Sequence, residues 1–128
     1  MKVIVAGSRG VTDIRVVETA VARSGFQIKE LVSGTCHGVD TFGELIAIEK
    51  DIPVKRFPAE WNKYGRSAGP RRNKVMADYA DALIAVWDNK SRGTSNMIDE
   101  ACIRGMKVYV YDFTTGDGVF VENNKHGG

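Results

Sequence analysis

Apolar runs and amphipathic stretches alternate along this chain. Residues 2–6 are rich in β-formers and stop at Gly7. Residues 13–24 then carry Val16, Val17, Ala20 and Val21 at helical spacing, with Thr12 or Asp13 as N-cap and Gly25 as the stop. A second strand is predicted over 29–33 and a second helix over 39–50, with Phe42, Leu45, Ile46 and Ile48 at helical spacing. Residues 52–57 read as a short third strand, with Pro53 at its start, where a missing N–H is tolerated. Residues 58–68 read as a polar-aromatic loop and 69–80 as a third helix. The run 82–87 is apolar throughout and predicts a fourth strand. A fourth helix covers 94–104, ending at Gly105, and a fifth strand covers 107–111. Residues 114–118 form a turn that positions 119–121 to return as a hairpin strand.

This β-α alternation with unbroken apolar strands predicts a Rossmann-like, doubly wound α/β fold. The expected sheet is mostly parallel and five-stranded, has helices on both faces, and leaves room for the C-terminal hairpin strand. Right-handed crossovers put the strand-to-helix loops on one edge of the sheet. Those loops are 7–13, 33–39, 58–69 and 88–93, and the site is expected where the strand order reverses. One domain over 1–122 and a loose tail over 123–128 complete the expected organisation.

Composition narrows the function classes. The chain has 128 residues, 43% of them apolar, enough for one core. A net charge of +2 does not by itself argue for nucleic-acid binding, although Lys63, Arg66, Arg71, Arg72 and Lys74 make one region locally positive. The two cysteines, Cys36 and Cys102, have no disulfide or zinc spacing and read as reduced thiols. No apolar run is long enough to span a membrane, so a cytoplasmic protein without membrane attachment is expected. No metal site or cofactor motif is visible. Asp88 could hold a cation through phosphates, but a lone carboxylate does not define a metal site.

The loops carry the candidate chemistry. Gly7, Ser8 and Arg9 follow the first strand, where Ser8 offers a hydroxyl and Arg9 a fork suited to phosphate or carboxylate. The second loop runs from Ser33 and Gly34 to Gly38 and Asp40. Gly34 permits close backbone approach, and Asp40 either caps the helix or accepts a hydrogen bond from a sugar hydroxyl. Cys36 and His37 are adjacent, so their side chains diverge and make no ready nucleophile–base pair. Trp61 and Tyr64 either stack on a base or staple their own loop, and Lys63 and Arg66 are near enough to reach a phosphate. Arg71, Arg72 and Lys74 crowd the positive end of a helix, an unfavourable placement without an anion. Arg72 and Asn73 are the preferred contacts there. After Trp87 and Asp88, Gly93 exposes amides, while Thr94 and Ser95 supply hydroxyls for a phosphate; alternatively Thr94 is an N-cap.

These pieces together resemble the SLOG superfamily, in its YspA/YpsA-like branch. The matching segments are Gly7-Ser8-Arg9 with Thr12-Asp13, Ser33-Gly34 with Gly38-Val39-Asp40, and Phe57-Pro58-Ala59 with Trp61. They continue with Ala68-Gly69-Pro70, Arg72-Asn73 and Met76, then Ala80-Asp81 and Leu83, Trp87-Asp88, and Ser91-Arg92-Gly93-Thr94. The resemblance implies a Rossmann-like fold and binding of nucleotides or nucleotide-derived ligands, with sensor or processor roles in phage–host conflict. It also implies a homodimer or larger homo-oligomer. Two relatives extend it. The LOG phosphoribohydrolases cleave the N-glycosidic bond of a nucleoside monophosphate, and Arg72, Met76 and Gly93-Thr94 resemble their motifs. The position of their loop glutamate holds Met97, so an enzyme reading rests on Arg72 with Glu60 as the carboxylate. DNA-processing protein A binds single-stranded DNA, and Ser33-Gly34, Gly38-Val39-Asp40 and Arg72-Asn73 resemble its pattern too.

The leading expectation is a module that binds a nucleotide or nucleotide-derived phosphate ligand, as a sensor or sequestering protein. Its expected contacts are Gly7, Ser8, Arg9, Ser33, Gly34, Gly38, Asp40, Trp61, Arg72, Asn73, Trp87, Asp88, Gly93, Thr94 and Ser95. Nucleoside monophosphate hydrolysis and single-stranded nucleic-acid binding are the alternatives.

Overall fold

The computed structural model describes residues 1–121, so the tail expected over 123–128 lies outside the described residues. One six-stranded sheet has the order β3-β2-β1-β4-β5-β6. Its strands are β1 (Lys2–Gly7), β2 (Glu30–Ser33), β3 (Val54–Arg56), β4 (Ala82–Trp87), β5 (Lys107–Asp112) and β6 (Asp117–Val121). The first five are parallel to their neighbours, and β6 returns antiparallel along β5 as the predicted hairpin strand. It is longer than predicted, because pairing begins at Asp117 opposite Asp112.

The helices are α1 (Ile14–Ser24), α2 (Val39–Glu49), α3 (Trp61–Tyr64), α4 (Ala68–Tyr79) and α5 (Arg92–Ile103). Strand alternation explains how they cover both faces. Val3, Val5, Ile84 and Val86 point to the side of α1 and α2, where they meet Val17, Ala20, Ile46 and Ala47. Ile4, Ala6, Leu83 and Ala85 point to the other side and meet Met76, Ala77, Met97 and Ala101 of α4 and α5. Strands buried on both faces need no polar positions, which is why they read as unbroken apolar runs.

Three expectations are corrected. The segment 58–68 is not plain loop: it carries α3 and a 3-10 turn, Gly65–Ser67, and α4 starts at Ala68. The strand expected over 52–57 pairs only from Val54 to Arg56. The helix expected to begin at 94 begins at Arg92, with Ser91 as its N-cap, so Thr94 lies inside the first turn and caps nothing. Among the described residues no helix is long and apolar enough to cross a membrane.

Candidate functional site

The strand order reverses between β1 and β4, and the loops that follow these strands diverge to opposite faces. A crevice opens there, as it does in open α/β sheets generally. At its root the Ser8 amide donates to the Val86 carbonyl at 3.0 Å. The Ser8 side chain is buried, with its Oγ 3.0 Å from Ser91 Oγ. Ser91 Oγ also lies 3.0 Å from Asp88 Oδ1. An ionised carboxylate only accepts, so the Ser91 hydroxyl is the donor in its contact with Asp88. The amides of Lys90 and Ser91 donate to the same Asp88 oxygen. With the Ser91 and Lys90 amides leading, these bonds hold the Asp88 carboxyl down at about 2. Asp88 thus shapes the β4–α5 loop.

That loop delivers the N-terminus of α5. The first amides of any helix lack acceptors within it, and Ser91 makes no side-chain cap bond to them. The α1 terminus differs, because Asp13 accepts from the Arg15 amide at 2.9 Å and pairs with its guanidinium. A carboxylate already occupies that end, so α5 offers the open anion position of the two. Thr94, in the first turn of α5, lines the crevice and is 5% exposed. Among the described residues its hydroxyl has no hydrogen-bond partner.

The opposite wall is braced by Arg72. Its guanidinium donates to the Gly34 carbonyl, to the Phe57 carbonyl at 3.5 Å and to Cys36 Sγ at 3.6 Å. Its Nε donates to Asn73 Oδ1 at 3.0 Å. The cation that seemed to need an anion at this helix start is therefore met by backbone carbonyls of two loops. Arg71 instead bonds Ser67 and lies over the Tyr64 ring. Buried Asn73 donates to Asn96 Oδ1 at 2.8 Å and to the Gly93 carbonyl at 3.3 Å, tying α4 to the start of α5.

Between these walls lies Asp40, in the first turn of α2 and 4% exposed. Its Oδ2 accepts from the Cys36 amide at 3.1 Å. Burial pushes its carboxyl up to about 6, with Glu44 adding to the rise, against the pull of the Cys36 amide and Arg72. A Cβ on Gly34 would come within 2.8 Å of Arg72 Nη1 and 2.9 Å of Asp40 Oδ2, so a side chain there would push both charged ends out of place.

The resulting cleft has a volume of about 360 Å³. Of the expected contacts, Gly7, Ser8, Arg9, Asp40, Trp61, Arg72, Asn73, Gly93 and Thr94 line it. The others sit elsewhere. Ser33 is fully buried and donates to Glu44 Oε2 at 2.6 Å. Gly34 lines an adjoining cavity. Gly38 turns the chain behind the Ser8 and Arg9 carbonyls at a φ of 82°. Trp87 donates from Nε1 to the Ser91 carbonyl, which makes it a staple for the loop rather than a platform in the cleft. The Ser95 amide closes the first turn of α5 onto Ser91, and its side chain does not line the cleft. Glu60 is exposed and lines a separate groove beside α4.

Cys36, Met76, Ser91 and Met97 line the cleft as well. Met76 and Met97 form its apolar floor, each 1% exposed. Asn73 and Met76 stand three positions apart in α4, a spacing that brings both to its inner face. The motif position of Met97 pointed at the site but left a thioether there. Among the described residues Asp40 is the only carboxylate lining the cleft, and no group of three or more His, Cys, Asp or Glu side chains is placed to hold a metal ion.

Comparisons with known proteins bear on this arrangement. No curated protein matches the chain. Among solved structures, DNA processing protein A (DprA) from Streptococcus pneumoniae is similar with a TM-score of 0.70 and 20% identity. The match covers 86% of this chain and 50% of that one, so this chain spans about half the length of that protein. At this identity the likeness speaks for the fold. The model of the YspA, cpYpsA-related SLOG family matches residues 1–64, half of the chain, which includes β1, β2 and both of their loops. The chain belongs to the YspA, cpYpsA-related SLOG family.

Proposed function

We propose that the cleft binds a nucleotide or nucleotide-derived phosphate ligand and holds it intact, as a sensor or sequestering module does. The observation that carries this reading is the buried Thr94 hydroxyl, which lines the cleft without a protein partner beside the uncapped first turn of α5. A buried hydroxyl left unpaired costs free energy. A phosphate oxygen seated on the α5 amides removes that cost and meets the positive end of the helix. Arg9, exposed at the rim, closes over the same anion. Asp40 accepts from a ribose hydroxyl. Trp61 is 49% exposed and lies against Gly69, giving a base a flat apolar surface.

Hydrolysis of a nucleoside monophosphate is the second reading, and one observation favours it: Asp40 is a buried carboxylate in the cleft with a proton affinity in the range of a general acid. In that case Asp40, rather than Glu60, which does not line the cleft, serves as the carboxylate.

Incubation with the common ribonucleoside 5′-monophosphates, followed by mass spectrometry of bound and free species, tests both. Binding predicts an intact nucleotide retained by the protein. Free base with ribose 5-phosphate, lost in Asp40→Asn, establishes the hydrolase. Retention of no nucleotide at all overturns the leading reading.

A further inference from the structure

A second cavity of about 340 Å³ adjoins the cleft. It lies between the loop after β2 and the segment before α3, and it shares Arg9, Cys36, Trp61 and Arg72 with the cleft as lining residues. Each cavity alone is near the lower end of the roughly 300–1,000 Å³ typical of small-molecule sites. Joined across Arg9 and Trp61, they make one two-lobed site.

The second lobe has unused binding groups. Arg72 is committed to carbonyls and to Asn73. Arg9 and His37, by contrast, are exposed, and among the described residues neither makes a hydrogen bond or ion pair. Arg9 stands at the junction of the lobes and His37 in the second lobe only. The lining of the second lobe includes Thr35 at a φ of 64°, a left-handed conformation that a β-branched residue rarely adopts. Such strain persists where the surroundings require it and clusters at ligand sites.

We infer that the ligand is longer than a mononucleotide: a nucleotide extended through its phosphate to a second sugar- or base-bearing unit, with the linking phosphates at Arg9 and the second unit in the lobe beside His37. This rests on the proposed phosphate reading of the first lobe. A central anion between two polar-aromatic bodies matches a cation set between two small cavities. A mononucleotide fills the first lobe and leaves the second to water.

Calorimetric titration of the full chain tests this, using ribonucleoside 5′-monophosphates and the matching symmetrical dinucleoside pyrophosphates. At least one pyrophosphate is expected to bind about tenfold or more tightly than its monophosphate. His37→Glu, which places a negative charge in the second lobe, and Ala59→Trp, which fills it, are each expected to erase that gain. Equal affinity of the two ligand sets for the wild-type chain overturns the second lobe while leaving the first intact. A gain that survives both variants overturns it too. Absence of binding by either set overturns the reading of the first lobe and this inference with it.

Discussion

Ser8 Oγ and Ser91 Oγ meet at 3.0 Å, joining the loop after β1 to the loop after β4 across 83 positions of sequence. The contact sits where the strand order reverses, so it braces the root of the cleft. Removing either hydroxyl frees the α5 start to shift relative to β1. A double-mutant cycle with Ser8→Ala and Ser91→Ala is expected to give a coupling of about 0.5–1.5 kcal/mol in urea unfolding. Additive effects would mean that the two loops are positioned independently.

Thr94 separates stability from binding. Valine has nearly the same shape and lacks the hydroxyl that finds no partner in the protein. Thr94→Val therefore loses no protein hydrogen bond and removes a desolvation cost, so stability should hold or rise by up to about 1 kcal/mol. Nucleotide affinity should fall by roughly tenfold, the value of one hydrogen bond to a charged group. Thermal unfolding and titration of the same variant read both effects. Loss of stability with unchanged affinity would assign the hydroxyl to the core.

Much of this architecture was legible in the sequence, and its gaps have physical causes. The strands over 2–6 and 82–87 were plain because burial on both faces leaves no polar position. The loops were correctly assigned to one edge because parallel crossovers allow no other arrangement. The four residues of α3 carry too little periodicity to read as a helix. The α5 cap was misplaced because Ser91 and Thr94 are both cap-forming residues, and only backbone geometry separates them. Arg72 looked like a free cation because its acceptors are carbonyls at Gly34 and Phe57, and any residue type supplies a carbonyl. Trp87 was expected among the ligand contacts, but its ring nitrogen is held by the Ser91 carbonyl, a partner that any residue type supplies.

Arg72 is a brace before it is a ligand contact. A lysine retains the charge but cannot reach Gly34, Phe57 and Asn73 together. Arg72→Lys is expected to lower stability by about 1–3 kcal/mol, through loss of charge-assisted bonds to the two loops. Chemical denaturation measures this. A variant as stable as the wild type would show that the wall stands without the guanidinium.

Asp40 predicts a pH signature. Its carboxyl rises from the ordinary 3.8 to about 6 on folding, chiefly through burial. The folded chain therefore holds this proton more tightly than the unfolded chain. The favourable contribution of the protonated form is complete below about pH 4 and is lost as pH rises through about 6. Asp40→Asn does not titrate. Its stability relative to the wild type should climb by on the order of 3 kcal/mol between about pH 4 and pH 7 and then level off. Denaturation curves of both proteins across that range provide the check, and a difference that stays flat or falls contradicts the burial of this charge.

The most direct test of the central claim is an amide-resolved NMR titration of the chain with a ribonucleoside 5′-monophosphate. The account predicts that the largest shifts fall on the amides of Arg9, Gly10, Gly93 and Thr94 and on the indole of Trp61. Shifts confined to the groove at Lys55 and Lys74, or no shifts at saturating nucleotide, would contradict it.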